Sequence, residues 1–422
     1  MNFHLKKKGE RNLNNLTGTK RLQLALLLGS LAILGPFTID MYLPSFPTIV
    51  EEFGTTASFV QISLTSCLLG LGLGQLIIGP MSDVQGRKKP LLIFLIMYLV
   101  ASAICAFAPN IYFFIAARFL QGFSAAGGIV ISRAVVRDKF NGRELTKFFA
   151  LLTLVSNLGP IIAPVAGGAI LAFTNWTGVF VVLSAVGLVL FFTVFSKLEE
   201  SLPPENRVPS NIGQTFRNFG TLLKDRQFTG YAFTQGFIVA GIFAYVSGTP
   251  FVYQNIYGVS PQVFSLLFGL NGIGLILGSQ AVGKFVDVIS EKTFLLIGLT
   301  ISNVSGAILL VSLLLKAPLI AVVIPIFFFV ASIGIIGTTS FSLAMESQGH
   351  IAGSASALLG LLPFILGSIS SPLVGIAGEN SAIPMGSIIF GASFLAFLSY
   401  ILFVRKASVV KPSIEEPGKI SV

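Results

Sequence analysis

Twelve stretches of predominantly apolar residues, each about as long as the roughly 20 residues a helix needs to cross hydrocarbon, leave this chain few folds to choose from. They lie near residues 22–44, 58–80, 90–108, 111–134, 146–173, 177–196, 228–252, 262–286, 292–314, 318–340, 351–377 and 384–404. Backbone in a bilayer must satisfy its own hydrogen bonds, so segments of this length predict an all-α membrane protein. With 54% hydrophobic and 10% charged residues among 422, too few polar groups exist to cover a water-facing surface. The short connections Ala108-Pro109-Asn110 and Lys316-Ala317-Pro318 predict tight turns between antiparallel neighbours. The first span follows a polar segment, lacks a small-residue cleavage site and runs into Asp40 and two prolines, so it reads as a retained span and not a signal peptide.

The net charge of +10 does not point to nucleic acid, because the basic residues are scattered through the short segments between spans. Lys6, Lys7, Lys8, Arg11, Lys20 and Arg21 precede the first span; Arg87, Lys88 and Lys89 follow the second; Arg137, Lys139, Arg143 and Lys147 follow the fourth. Lys197, Arg207, Arg217, Lys224, Arg226, Lys284, Lys292, Arg405, Lys406, Lys411 and Lys419 fall on the same side, against Lys316 alone on the other. The positive-inside rule then predicts an even number of spans with both termini cytoplasmic. Cys67 and Cys105 lie inside apolar stretches, and His4 and His350 are far apart, so neither a disulfide framework, a metal site nor a cofactor is expected.

The polar run near 197–227, with Pro203-Pro204 and Pro209, divides the spans six and six. The expected organisation is a cytoplasmic tail (1–21), a six-helix bundle (22–196), a cytoplasmic linker (197–227), a second bundle (228–405) and a cytoplasmic tail (406–422). Gly70, Leu71, Gly74, Gly79 and Asp83 recur at one constant separation as Gly274, Leu275, Gly278, Gly283 and Asp287. Gly159, Pro164 and Gly167 recur at another as Gly367, Pro372 and Gly375. Both sets join spans six apart and keep their membrane orientation, as two pseudo-symmetric bundles around a central cavity require.

Asp40 is the acidic residue well inside an apolar span. An intramembrane acid is expensive unless it faces a wet cavity and binds a proton, an ion or a substrate cation. Arg118 and Gln121 share one face of the fourth span. Counted from the outer ends of their spans, Asp40 lies roughly 6 Å and Arg118 roughly 10 Å deep, so the two are expected to meet. A guanidinium favours a carboxylate and apolar burial favours the acid, so proximity that depends on access would switch Asp40 between releasing and holding a proton.

Asp40-Met41-Tyr42-Leu43-Pro44 with Pro47 resembles the D-x-Y-L-P-x-x-P signature of the bicyclomycin and chloramphenicol resistance branch, Bcr/CflA, of the major facilitator superfamily. Gly79-Pro80-Met81-Ser82-Asp83-Val84-Gln85-Gly86-Arg87-Lys88 is similar to that superfamily's loop after span two, with Val84 where an arginine is usual. There Gly79 permits close helix approach and Gly86 the turn, and Asp83 with Arg87 and Lys88 offers a charge latch at the cytoplasmic mouth. Arg118-Phe119-Leu120-Gln121-Gly122 resembles R-x-x-Q-G, and Arg133, Arg137 and Asp138 are expected to form ion pairs at the inner mouth. Gly159, Pro160, Pro164, Gly167 and Gly168 look like the motif of antiporter members, in which proline bends the helix and glycines admit a neighbour. Trp176 with Phe180 matches W-x-x-x-F and is expected to anchor the outer interface.

The resemblance covers nearly all spans and implies the major facilitator fold. It further implies a plasma-membrane antiporter that exports small apolar compounds, drugs among them, in exchange for protons, with Asp40, Arg118 and Gln121 coupling to the proton. The alternative is a proton symporter or uniporter for a sugar or other metabolite, which the fold alone allows. No phosphate loop or catalytic triad is present, so neither an enzyme nor an ATP-driven pump is expected. The expected partners are a small-molecule substrate, protons and the lipid bilayer, the chain working as a monomer without nucleic acid. Tyr42, Gln235, Tyr245 and Asn271 are polar candidates for the cavity wall, and the sequence does not choose among them.

Overall fold

The computed structural model describes residues 18–140, 142–207, 212–346, 348 and 351–405. His4, Lys6, Lys7, Lys8, Arg11, Pro209, His350, Lys406, Lys411 and Lys419 lie outside them, as do the side chains of Lys20 and Arg143. Among the described residues the chain forms twelve apolar membrane-length spans. These are α1 (Arg21–Phe53), α2 (Ala57–Gln85), α3 (Lys88–Ala106), α4 (Ile111–Lys139), α5 (Lys147–Leu171), α6 (Trp176–Lys197), α7 (Arg226–Ile256), α8 (Pro261–Phe285), α9 (Glu291–Leu314), α10 (Leu319–Met345), α11 (Gly353–Ala377) and α12 (Ile383–Arg405). A short helix, Ile212–Leu222, lies in the connection between α6 and α7.

Side chains start several of these helices by accepting from backbone N–H groups that have no helical partner. Asn110 takes Phe113 N at 2.9 Å ahead of α4, and Asp225 takes Gln227 N at 2.9 Å and Phe228 N at 3.2 Å ahead of α7. Ser260 and Ser290 do the same ahead of α8 and α9.

One boundary corrects the sequence reading. Pro44 and Pro47 suggest an end near residue 44, but α1 continues through a 3-10 turn, Leu43–Ser45, and a further helix, Phe46–Phe53. Each proline stands within the first two positions of one of these pieces, where its missing N–H costs nothing because that donor has no helical partner anyway. Asp40 is therefore thirteen residues from the end of its span, roughly 20 Å of chain and not 6 Å.

Two pairs of the repeated glycines pack alike in both halves, whereas Gly79 meets only Val130, at an ordinary 3.4 Å, and Gly283 meets nothing within 4 Å. A Cβ on Gly70 would strike the carbonyl of Phe119, and one on Gly274 would sit 3.1 Å from the ring of Phe327. Gly74 faces Phe123 O and Gly278 faces Ala331 O, so α2 lies on α4 as α8 lies on α10, at backbone contact.

At the end away from the termini the halves are closed together. Gln61 Nε2 donates to Ser247 O at 3.1 Å, Thr65 Oγ1 to Ser368 O at 3.2 Å and Gln254 Nε2 to Pro44 O at 3.1 Å, while Phe46 meets Phe251 at 5.8 Å between ring centroids. At the terminus-bearing end they part around a cavity of about 630 Å³, lined by Gly79, Asp83, Arg133, Arg137, Gln235 and Ser354 among others. The structure is thus a two-bundle molecule open on one side.

Candidate functional site

The candidate site is built on the break in α1. The helical piece Leu34–Asp40 ends there, and Pro44 offers no N–H to the carbonyl four residues back, so carbonyls at this turn lose their helical donors. Arg118 of α4 supplies one replacement: its Nη2 donates to Thr38 O at 2.9 Å. Its Nη1 donates to Gln121 Oε1, and Gln121 Nε2 passes the chain on to Ser102 Oγ at 2.8 Å. The guanidinium lies 4.1 Å from the Tyr42 ring centre and 5.5 Å from that of Phe180. Arg118 is fully buried, so it serves the interior of the first bundle and does not snorkel to the surface.

Asp40 is 5% exposed and makes no ion pair and no side-chain hydrogen bond among the described residues. The structure does not join it to Arg118. The guanidinium is committed to Thr38 O, while the electrostatic neighbours of Asp40 are Cys67 of α2 and Tyr245 of α7, the latter in the opposite half. Arg118 and Gln121 are thus brought together, and Asp40 is bonded to neither of them.

Glycines of α5 let that helix lie against this turn. A Cβ on Gly167 would strike the carbonyl of Met41, next to Asp40, and one on Gly159 would come within 2.5 Å of the Pro36 ring. Gly168 faces the other half, where Gln262 Nε2 donates to its carbonyl at 3.4 Å. Pro160 and Pro164 lie within this helix. The three glycines therefore seat α5 between the Asp40 turn and α8.

At the cytoplasmic-mouth motif the ion pairs differ from the expected set. Arg87 binds Asp83 at 2.6 Å and Asp138 at 2.8 Å, and its Nη1 donates to Ser82 Oγ at 2.7 Å. Gly86, at φ +92°, makes the turn that brings Arg87 back over α2. Burial works against the Arg87 charge, and its bonds to Asp138 and Asp83 outweigh this and raise its pKa. Lys88 does not join the ion pairs; its Nζ donates to Phe195 O at 2.9 Å. Arg137 reaches Asp83 at 3.8 Å, whereas Arg133, expected to pair at this mouth, faces the cavity without an ion pair among the described residues.

Glu200 is a part that sequence reasoning missed. Its carboxylate accepts from Arg87 N at 2.8 Å and Lys88 N at 3.1 Å, placing an anion on the N-terminus of α3, while Ser201 Oγ donates to Asp138 at 3.0 Å. The available signal was the acidic run Glu199-Glu200 beside Lys197, at the start of the polar connector and on the membrane side that the basic residues share with Arg87. Because Arg87 is 3% exposed and Asp138 10% exposed, Arg87→Ala strands a nearly buried carboxylate. The expected result is a loss of about 3 kcal/mol in stability, read as a lower unfolding temperature of detergent-purified protein, with Lys88→Ala near wild type. Equal stability of the two variants would refute the assignment.

Trp176 is also corrected. It is 1% exposed, packs against Phe53, Phe114 and Phe180, and donates Nε1 to Glu52 Oε2 at 2.6 Å. The helical extension of α1 to Phe53 is what covers it.

Comparison with known proteins agrees with this architecture. A sequence model of the Major Facilitator Superfamily matches residues 28–372. An uncharacterized MFS-type transporter, YdgK, of Bacillus subtilis is 55% identical over 390 residues, 92% of this chain and 97% of that one. A bicyclomycin resistance protein homolog of Haemophilus influenzae is 35% identical over 90% of this chain and 96% of its own length. A chloramphenicol resistance protein of Pseudomonas aeruginosa is 28% identical, covering 85% of each. Among solved structures, a D-xylose–proton symporter superposes with a TM-score of 0.71 at 16% identity, over 91% of this chain and 97% of that one, a likeness of fold alone. The chain is a multi-pass membrane transporter that belongs to the major facilitator superfamily, with relatives in its Bcr/CflA drug-resistance branch.

Proposed function

We propose that this transporter exports small, largely apolar compounds, drugs among them, in exchange for protons, with Asp40 as the proton carrier. One observation carries the reading: a carboxyl at the break of α1, 5% exposed, with no cation or hydrogen-bond donor bound to it among the described residues. A carboxylate in apolar surroundings is costly and a carboxylic acid is not, so solvation of this site governs whether it keeps its proton. The site lies against α5 through Met41 and Gly167 and opposite Tyr245, so a rocking of the halves changes its surroundings directly. The drug-resistance names of two relatives support the same substrate class. The scatter of basic residues supports a plasma-membrane protein with cytoplasmic termini, in which the cavity faces inward.

The test uses everted membrane vesicles with an acid lumen. Adding a transported compound such as chloramphenicol is expected to discharge part of the pH difference, because each molecule taken into the lumen brings protons out. A symporter would acidify the lumen further and a uniporter would leave it unchanged; either result overturns the exchange.

A further inference from the structure

Asn271 of α8 is 1% exposed, and its two amide ends are used unequally. Its Nδ2 donates to the Tyr245 hydroxyl at 3.0 Å, whereas Oδ1 has no hydrogen-bond partner among the described residues. The Tyr245 ring is itself fixed by stacking on Phe268, with centroids 5.0 Å apart at an interplanar angle of 19°. A buried amide oxygen held in place and left unbonded costs stability, typically about 1–3 kcal/mol, which a structural role would not require.

The repeat gives this pair its position. Cys67 and Asn271 stand at the same separation as Gly70 and Gly274, so Asn271 is the second half's counterpart of the cysteine beside Asp40. At the same separation Asp40 corresponds to Ala244, the residue before Tyr245, so the Tyr245–Asn271 hydrogen bond lies on α7 and α8 at about the level that Asp40 and Cys67 occupy on α1 and α2. Other unbonded amide oxygens lie at other depths. Gln61 Oε1 is at the closed end beside Gly375, and Gln235 Oε1 stands ten residues along α7 toward the cavity, roughly 15 Å away. The cavity ends at Gly72 and Leu361, roughly 8 Å along α2 from Cys67. The halves meet there: a Cβ on Gly72 of α2 would touch Leu361 at 3.3 Å and Phe364 at 3.4 Å, both of α11.

We infer that Asn271, oriented by Tyr245, is the second half's contact with the transported compound, its free amide oxygen accepting an N–H or O–H that the compound presents. The inference rests on the export reading and adds a selectivity: compounds bearing a donor gain from Asn271, and compounds without one do not. Tyr245 is a positioning residue, since its hydroxyl fixes which end of the amide is free.

The test measures uptake into everted vesicles of two monovalent cations, ethidium, which carries two aryl amines, and tetraphenylphosphonium, which carries no N–H. Asn271→Leu keeps the side-chain shape and removes the acceptor. It is expected to raise the KM for ethidium about tenfold and leave that for tetraphenylphosphonium within about twofold. Tyr245→Phe, which keeps the stack on Phe268, is expected to shift the ratio in the same direction about threefold. Equal changes for both probes, or none in either variant, overturn the inference while wild-type uptake leaves the export reading standing. Failure of the wild type to move ethidium overturns this inference, and failure to move chloramphenicol as well overturns the export reading with it.

Discussion

Asp40→Asn is expected to abolish uphill export, with accumulation against a concentration gradient falling at least about a hundredfold while membrane insertion and unfolding temperature stay near wild type. Asparagine has almost the same shape and removes only the ability to bind and release a proton. Nothing in the structure depends on the Asp40 charge, since the carboxyl makes no ion pair or side-chain hydrogen bond among the described residues. Elsewhere a buried acid holds its bundle together through a cation, as Asp138 does with Arg87, and its replacement damages folding as well as function. At position 40 the two effects separate. The measurement is substrate uptake by everted vesicles with an imposed pH difference, paired with counterflow of labelled substrate without one. Uphill transport is expected to vanish and exchange to persist, because the pathway is intact and only the coupling is gone. Retention of full uphill transport by the asparagine variant would remove Asp40 from the coupling role.

The elements that hydropathy governs were legible in the sequence, and those that depend on three-dimensional partners were less so. The span boundaries follow the apolar runs closely because a bilayer admits few alternatives to a helix of that length. Span one departs from them because proline has two meanings: inside a helix it breaks, and at a helix start it fits. Only the path of the chain beyond Pro44 distinguishes the two. The motif residues were found by their spacing, but spacing does not assign partners. Arg118 and Gln121 meet because they are one turn apart on a single helix. Whether Arg118 reaches the side chain of Asp40 or the carbonyl of Thr38, two residues away, turns on the direction each group leaves a broken helix. Glu200 shows the same limit from the other side, since the acidic run marks a charge on that side of the membrane but does not single out the backbone N–H groups of Arg87 and Lys88 as its partners.

Arg118→Lys is expected to lose nearly as much transport as Arg118→Leu, at least about thirtyfold for each, although lysine keeps the positive charge. This outcome separates two roles for the arginine. If it acted as a point charge on Asp40, lysine would serve, because an ammonium at similar depth carries the same field. In the structure the fork instead spans Thr38 O and Gln121 Oε1 at once, and the flat guanidinium lies 4.1 Å over Tyr42. An ammonium has no plane to stack and no fixed fork, so it leaves either the carbonyl or the amide unpaired. A backbone carbonyl without a donor at membrane depth costs several kcal/mol, which the turn would relieve by closing or unwinding. Asp40 sits on that turn next to Met41, whose carbonyl packs on Gly167, and its surroundings change with the turn. The check is the pair of variants assayed side by side for uptake and for the pH dependence of uptake. A lysine variant with near wild-type uptake would restore the point-charge role, since a charge is all that lysine preserves. Loss in both would make Arg118 the residue that keeps the break in α1 open, and through the backbone keeps Asp40 where both halves can reach it.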